Sequence, residues 1–329
     1  MSTLFLITFA LAMFFSFWNG FSDAANAIST VIATRVLKPF QAVLVAASGN
    51  FLGLLFGSAV AVTIGKGIID PGLIDSKLLI AALAGGLIFD VATWFWGLPI
   101  SESHVLIGGL VGAGTVAAGT GAINKAGILD KVLIPMITSP LIAFFLAFLF
   151  ISLILRLFLR FSAPKINPYF RKLQIVSSFL FSVNHGANDG QKVVGIITVL
   201  LINHGMISAF KPPLWVLICV QFTIALGTLF GGWRIVKTVA KKITNLRPYQ
   251  GFCAETSAAL VLFISSTLGF PVSTTHVISG SIMGVGATRR TRAVHWGVAR
   301  NIVIAWFLTM PLSAILAALV YLFLSFIGI

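Results

Sequence analysis

Gly97-Leu98-Pro99-Ile100-Ser101-Glu102-Ser103-His104-Val105 returns 172 residues later as Gly269-Phe270-Pro271-Val272-Ser273-Thr274-Thr275-His276-Val277. The glycines that follow continue the match, with Gly108, Gly112 and Gly114 against Gly280, Gly284 and Gly286. A second pair sets Asn19-Gly20-Phe21-Ser22-Asp23 against His185-Gly186-Ala187-Asn188-Asp189, at an offset of 166. Gly53, Leu55, Phe56 and Gly57 match Gly227, Leu229, Phe230 and Gly231, and Thr138, Pro140 and Leu141 match Thr309, Pro311 and Leu312. Four ordered matches at nearly one offset mark a tandem duplication. The first repeat takes residues 1–161 and the second 174–329, with 162–173 as a short cytoplasmic linker.

The repeats are too apolar for water. Of 329 residues, 58% are hydrophobic and 9% charged, with a mean hydropathy of +1.04; a soluble domain is about 25% charged. At about 20 residues per spanning helix there is room for eight to ten membrane segments. The apolar residues form continuous blocks and do not alternate, which excludes a β-barrel. The fold is therefore all-α and polytopic, with the lipid bilayer as its solvent. Met1 to Trp18 has neither a basic leader nor a small-residue cleavage site, and is expected to stay as the first helix. Cys219 and Cys253 lie in or beside apolar segments, with no disulfide framework or metal cluster in view.

Charge gives the orientation of the halves. Loop 66–77 carries Lys66 and Lys77 offset by Asp70 and Asp75, whereas its counterpart carries Arg234, Lys237, Lys241, Lys242 and Arg247 with no acid. The positive-inside rule puts the first outside and the second in the cytoplasm. Assigning 35–38, 156–172, 234–247 and 289–300 to the cytoplasm gathers 16 of the 22 basic residues on that side. The net charge of +14 thus reflects loop retention and not nucleic acid. Each half then needs an odd number of crossings, so residues 78–118 and 254–287 are expected to be re-entrant helical hairpins. The expected architecture is two inverted-topology repeats, each with three crossings (some broken) and one hairpin. Both termini come out extracellular and the protein sits in the cell membrane. Many secondary transporters are built this way.

Four of the eight acids stand in apolar surroundings: Asp23, Asp90, Asp189 and Glu255. A bare carboxylate at mid-membrane costs at least ~2.5–3.5 kcal/mol, so each needs a partner. Asp23 and Asp189 are repeat mates inside polar islands, Asn19–Asn26 and Asn184–Lys192, that interrupt apolar runs. Carboxylates, amides and unwound carbonyls are the hard donors Na+ requires. This makes Asp23, Asn26, Asn188, Asp189, Gln191 and Glu255 the candidate coupling-ion residues. The competing reading is helix capping by Asn and Asp. Asp90 and Lys192 are candidate modulators. Lys192 follows Asp189 by three residues on one helix face; there it pairs with that carboxylate, favours an anion, or stands in for Na+.

The paired Pro-x-Ser segments supply an anion counterpart. Pro99 and Pro271 break a helix, and Ser101, Glu102, Ser103 and Ser273, Thr274, Thr275 open the next. Free N–H groups and hydroxyls at a helix N-terminus bind anions without a basic residue. Two inverted copies aim two such ends at one point near the midplane. Capping of buried helices is again the alternative. His104 and His276 are read as hydrogen-bonded packing residues.

These motifs resemble those of the PiT inorganic phosphate transporter family. Asn19–Asn26 and His185–Lys192 are similar to its paired Gly-Ala-Asn-Asp signatures, and Pro99–His104 and Pro271–His276 to its hairpin motifs. The likeness runs in order over essentially the whole chain. It implies phosphate uptake coupled to Na+ or H+ by alternating access, in a protein usually found as a homodimer. It also implies that hairpin Ser/Thr groups hold phosphate, and that Asp23, Asn26, Asn188 and Asp189 serve ions or substrate. Departures include Glu102 where a small residue is usual, and Asn50 where animal members carry an acid. The Gly190-Gln191-Lys192 ending resembles bacterial members regarded as proton-coupled, which leaves both coupling ions open. A sulfate or other oxyanion permease on the same fold is the nearest alternative, and a passive anion channel one of another class. An enzyme is not expected, since there is neither a His-x-x-x-His nor a Gly-x-Ser-x-Gly run.

Overall fold

Proline and glycine cut the apolar runs into helices. The computed structural model describes residues 2–160, 163–242, 246–288 and 294–329. Position 162 of the expected linker, and Arg289, Arg290 and Arg292 of the expected 289–300 loop, lie outside these residues.

Ser2 opens α1 (Thr3–Ala33), its hydroxyl accepting from the Phe5 N–H at 3.2 Å. Pro39 starts α2 (Pro39–Leu52), and after a 3₁₀ turn at Gly53–Leu55 the chain bends by 77° into α3 (Ala59–Lys66). Then come α4 (Ser76–Trp96), α5 (Glu102–Ala118) and α6 (Lys125–Ile128), which passes through a π turn into α7 (Ile134–Leu157). The second half comprises α8 (Ala163–Asn203), α9 (Leu214–Phe230), α10 (Trp233–Lys242), α11 (Pro248–Thr267), α12 (Thr274–Ala287) and α13 (Trp296–Phe326). No strand occurs among the described residues, only an isolated bridge between Ile69 and Ile123. The fold is all-α.

Both Pro-x-Ser segments act as punctuation. Gly97 (φ +66°) and Gly269 (φ +76°) take the left-handed turn after α4 and α11, a conformation glycine adopts without strain. Ser101 and Ser273 then cap α5 and α12, accepting from the N–H groups of His104 (3.3 Å) and His276 (3.2 Å). Each expected hairpin region is thus a helix–turn–helix unit.

The polar islands behave differently from expectation. They do not unwind their helices: α1 runs unbroken through Asn19–Asn26, and α8 through Asn184–Lys192. The island glycines allow close helix packing instead. A β-carbon at Gly20 would meet the main chain of Ile224 in α9, and one at Gly186 that of Asn50 in α2. Small residues let membrane helices approach backbone to backbone. The linker also differs, because residues 163–173 are already the first turns of α8. At 1.5 Å per residue α8 is about 60 Å long, which leaves these turns beyond a ~30 Å hydrocarbon layer. There Arg171 donates to the carbonyl of Arg35 in the α1–α2 turn at 2.9 Å.

Packing exchanges partners between the halves. α1 lies against α9 and α8 against α2; α5 lies against α13 and α12 against α7; α3 lies against α8 and α10 against α1. In each case the two contacts are repeat mates. The outer surface is apolar, with Leu141, Phe145 and Leu149 of α7 and Phe307, Ile315 and Leu319 of α13 exposed. Such a face is unfavourable in water by about 25 cal/mol per Å², and lipid removes that cost. Among the described residues α1, α4, the α6–α7 segment and α13 are by length and composition long and apolar enough to cross a membrane, and the bent α2–α3 pair is either a broken fifth span or a re-entrant loop. The chain is a multi-pass membrane protein.

Candidate functional site

The two islands and the two hairpin tips converge in the interior. Asp23, on the inner face of α1, accepts from the hydroxyls of Thr274 and Thr275 at the start of α12, both at 3.3 Å. Asn26, one turn further along α1, donates to Thr275 at 2.9 Å and to Thr274 at 3.4 Å. The corresponding turn of α8 reaches the other hairpin. Lys192 pairs with Asp189, donates to Ser103 at the start of α5, and reaches the Val272 carbonyl at 3.3 Å. Ser103 itself donates to that carbonyl at 2.9 Å. All of these side chains are buried.

His185 stands between the two carboxylates, its Nε2 lying 3.4 Å from Asp189 and 3.8 Å from Asp23. Asn50 donates to Thr228 at 2.8 Å, so its carbonyl oxygen accepts from His185 Nδ1 at 2.9 Å. That bond directs the Nδ1 proton at the Asn50 oxygen and leaves Nε2 facing the acids. Two carboxylates and an imidazole nitrogen at these distances form a centre that a proton or a cation can neutralise. One ligand atom each from Asp23, His185 and Asp189 lie within 4.8 Å of one another, close enough to share one ion. The buried amide oxygens of Asn19, Asn26 and Asn188 have no hydrogen-bond partner, which fits a hard cation better than a closed polar core.

The anion side is the pair of helix starts. The first-turn N–H groups of α5 and α12 lack partners within their own helices, and the serine and threonine hydroxyls stand beside them. Ser101 and Ser273 use their oxygens as caps while keeping a hydroxyl proton to donate. Glu102 accepts from Ser22 at 2.5 Å, and Asp90 of α4 lies close enough to Glu102 and Asp23 for their charges to interact.

Of the expected ion residues, Gln191 and Glu255 are placed elsewhere, and Asn188 is engaged through its amide nitrogen alone. Gln191 fastens the α2–α3 bend, accepting from Val60 N–H at 2.9 Å and donating to the Phe56 carbonyl at 3.3 Å. Asn188 holds the second hairpin through Ser266 (2.9 Å) and the Phe270 carbonyl (3.3 Å). Glu255 belongs to a separate cluster, accepting from Thr30, Ser177 and Gln174. Thr30 lies seven residues beyond Asp23 on α1, about 10 Å along the helix axis. His104 and His276 pack ring to edge with centroids 4.8 Å apart, and His276 stacks on Trp306 at 3.9 Å.

The model of the phosphate transporter family matches residues 19–317, which spans both islands and both hairpins. The chain belongs to the phosphate transporter family. A Rhizobium meliloti (strain 1021) relative, named "Probable low-affinity inorganic phosphate transporter", is 52% identical over 95% of this chain and 94% of its own. A Bacillus subtilis (strain 168) relative of the same name is 43% identical over 99% and 98%. Among solved structures, one titled "The sodium-dependent phosphate transporter" superposes with a TM-score of 0.89 at 28% identity, covering 99% of this chain and all of that one. The family and these relatives are transporters, not enzymes.

Within this family member, sequence reasoning left His185, Asn19 and Ser22 as mere parts of motifs. Their repeat relationship was the available signal: Asn19 pairs with His185, and each reaches the opposite carboxylate. Thr30, Gln174 and Ser177 around Glu255 had no sequence signal, because they come from two helices far apart in the chain.

Proposed function

We propose that this chain imports inorganic phosphate, driven by Na+ or H+, by alternating access between its halves. The observation that carries the reading is the convergence of two repeat-related helix starts, at Ser101–Ser103 and Ser273–Thr275, on the Asp23–His185–Asp189 centre. The helix ends favour an oxyanion through free N–H groups and aligned dipoles. The carboxylates oppose it: two like charges 4 Å apart repel by about 4 kcal/mol at an effective dielectric near 20. A cation or proton at the carboxylates removes that repulsion. Anion and coupling ion therefore bind best together, which is the physical basis of symport.

Since every hairpin rests on the last helix of the other half, rocking of the halves would open the site to one side and then the other. On this reading the two helix–turn–helix units are re-entrant, the repeats are inverted, and both termini are extracellular. The family resemblance adds a homodimer in the cell membrane. Radiolabelled phosphate uptake into proteoliposomes, under imposed Na+ and H+ gradients separately, tests the reading. Accumulation under at least one gradient supports it. Uptake that only equilibrates, whatever the gradient, makes the protein a passive channel, and stronger competition by sulfate than by cold phosphate makes it a different oxyanion permease.

A further inference from the structure

Lys192 is the repeat mate of Asn26, as Asp189 is of Asp23 and Thr275 is of Ser103. The two half-sites can therefore be compared group by group. In one, Asp23 accepts from Thr275 at 3.3 Å and the neutral Asn26 donates to the same hydroxyl at 2.9 Å. In the other, the ammonium of Lys192 contacts Asp189, Ser103 and the Val272 carbonyl. An ammonium has three N–H donors, and these three oxygens take them all. A carboxylate, a hydroxyl and a main-chain carbonyl are also the hard oxygen donors that a small cation selects. In the Asp23 half-site no lysine or arginine among the described residues stands in the same place; His185 Nε2 lies 3.8 Å from Asp23, and the Asn26 amide oxygen is buried without a partner.

We propose that Lys192 is a tethered cation. Its ammonium fills the Asp189 half-site, so that the protein takes one mobile coupling cation, a sodium ion or a proton, at the Asp23 half-site. A carrier with a neutral residue at position 192 would take two. The inference rests on the reading of the protein as a cation-coupled carrier. Lys192 is not placed to grip phosphate, because its three N–H groups are already committed to oxygens of the protein. The consequence is an asymmetry built on a nearly symmetric frame. One cation stays with the protein through the cycle, and the other travels.

Equilibrium binding of radioactive sodium to the purified protein in detergent, with choline as balancing cation, tests this. The wild type is expected to bind at most one sodium ion per chain. Lys192→Asn should bind one more than the wild type, and Lys192→Arg, which keeps the charge, should gain none. Adding Asp189→Asn to Lys192→Asn should abolish the gain. Two sodium ions bound to the wild type would overturn the proposal, as would a folded Lys192→Asn or Lys192→Gln that gains none. Lys192→Asn that is monodisperse in sodium but not in choline shows the same gain in another form. If neither neutral variant folds in either salt, the wild-type count decides alone. Phosphate uptake separates the two readings: no uptake alongside the expected sodium counts removes the carrier reading and leaves the half-site assignment. Uptake by a wild type that binds two sodium ions does the reverse.

Discussion

Asn19 of α1 donates to Asp189 of α8 at 3.3 Å, while its repeat mate His185 of α8 faces Asp23 of α1 at 3.8 Å. Each island therefore supplies a carboxylate and the group that steadies the other island's carboxylate. Neither half carries a finished centre, and the carboxylates come together only when α1 and α8 lie side by side. A site divided in this way is sensitive to relative motion of the halves, which is what a carrier needs.

Asp23→Asn removes one acid of this centre while keeping an acceptor for Thr274 and Thr275. Among the described residues no lysine or arginine pairs with Asp23, and His185 Nε2 stands off at 3.8 Å, so the fold should tolerate the change. Losing one charge-assisted interaction is worth about 1.5–3 kcal/mol, or roughly ten- to a hundredfold in affinity. Uptake at limiting coupling ion should fall by that factor, with the thermal unfolding midpoint nearly unchanged. Wild-type uptake in the variant would remove Asp23 from the coupling centre.

Asp189→Asn should behave differently, because it leaves the Lys192 ammonium buried without its counter-charge. Breaking a buried pair by removing one partner costs about 3–5 kcal/mol. The expected result is a large loss of folded protein, restored in the double variant Asp189→Asn/Lys192→Met. Fluorescence-detected size exclusion reads this directly. Equal yields of the single and double variants would show that the pair carries little stability.

Ser273 both caps α12 and stands at the anion side, and glycine separates the two roles. Replacing a capping serine by glycine costs only a few tenths of a kcal/mol, against about 1 kcal/mol for alanine. If the hydroxyl binds substrate, Ser273→Gly should raise the KM for phosphate about as much as Ser273→Ala does. A KM that rises only in the alanine variant would make Ser273 a cap alone.

The class of fold was legible because composition forces lipid as the solvent, and duplication survives as an offset that any two copies of a motif reveal. The hairpin tips were legible too, since Pro99-Ile100-Ser101 carries a helix stop and a helix start within three residues. The state of the islands was not. Gly20 and Gly186 look like helix breakers in sequence, and only the approach of Ile224 and Asn50 shows them to be packing surfaces. The placement of Gln191 has a related cause: an amide two residues from Asp189 in sequence points from another face of α8, toward Phe56 and Val60. Side chains three apart on a helix share a face, whereas those two apart do not. Spacing alone therefore favours Lys192 over Gln191 at the centre.

Gly20→Val tests the packing account. A valine there drives its side chain into the main chain of Ile224, and neither helix can yield without moving α1 from α9. Overpacking of this kind costs typically 1–3 kcal/mol, and the displacement carries Asn19 and Asp23 with it. Stability and uptake should fall together. Gly57, with open space around it, is the control, and Gly57→Ala should leave both intact.

The proposed inverted arrangement makes a prediction about sidedness. Lys77 lies in the first turn of α4 in the first half and Lys237 on α10 in the second, and charge assigns them to opposite faces of the membrane. Of the native thiols, Cys253 is buried and Cys219 is partly exposed, so Cys219→Ser gives a quiet background. In that background a cysteine at Lys77 should react with a membrane-impermeant maleimide added to intact cells. A cysteine at Lys237 should react only after permeabilisation. Lys77 and Lys237 lie on different helices, so the pair reports on topology and not on one loop. A second pair, Lys125 and Arg156, brackets the α6–α7 segment and should split the same way if that segment crosses once. Lys77 and Lys237 reacting from one side would give the halves the same orientation. The opposed helix starts at the centre would then lose their explanation.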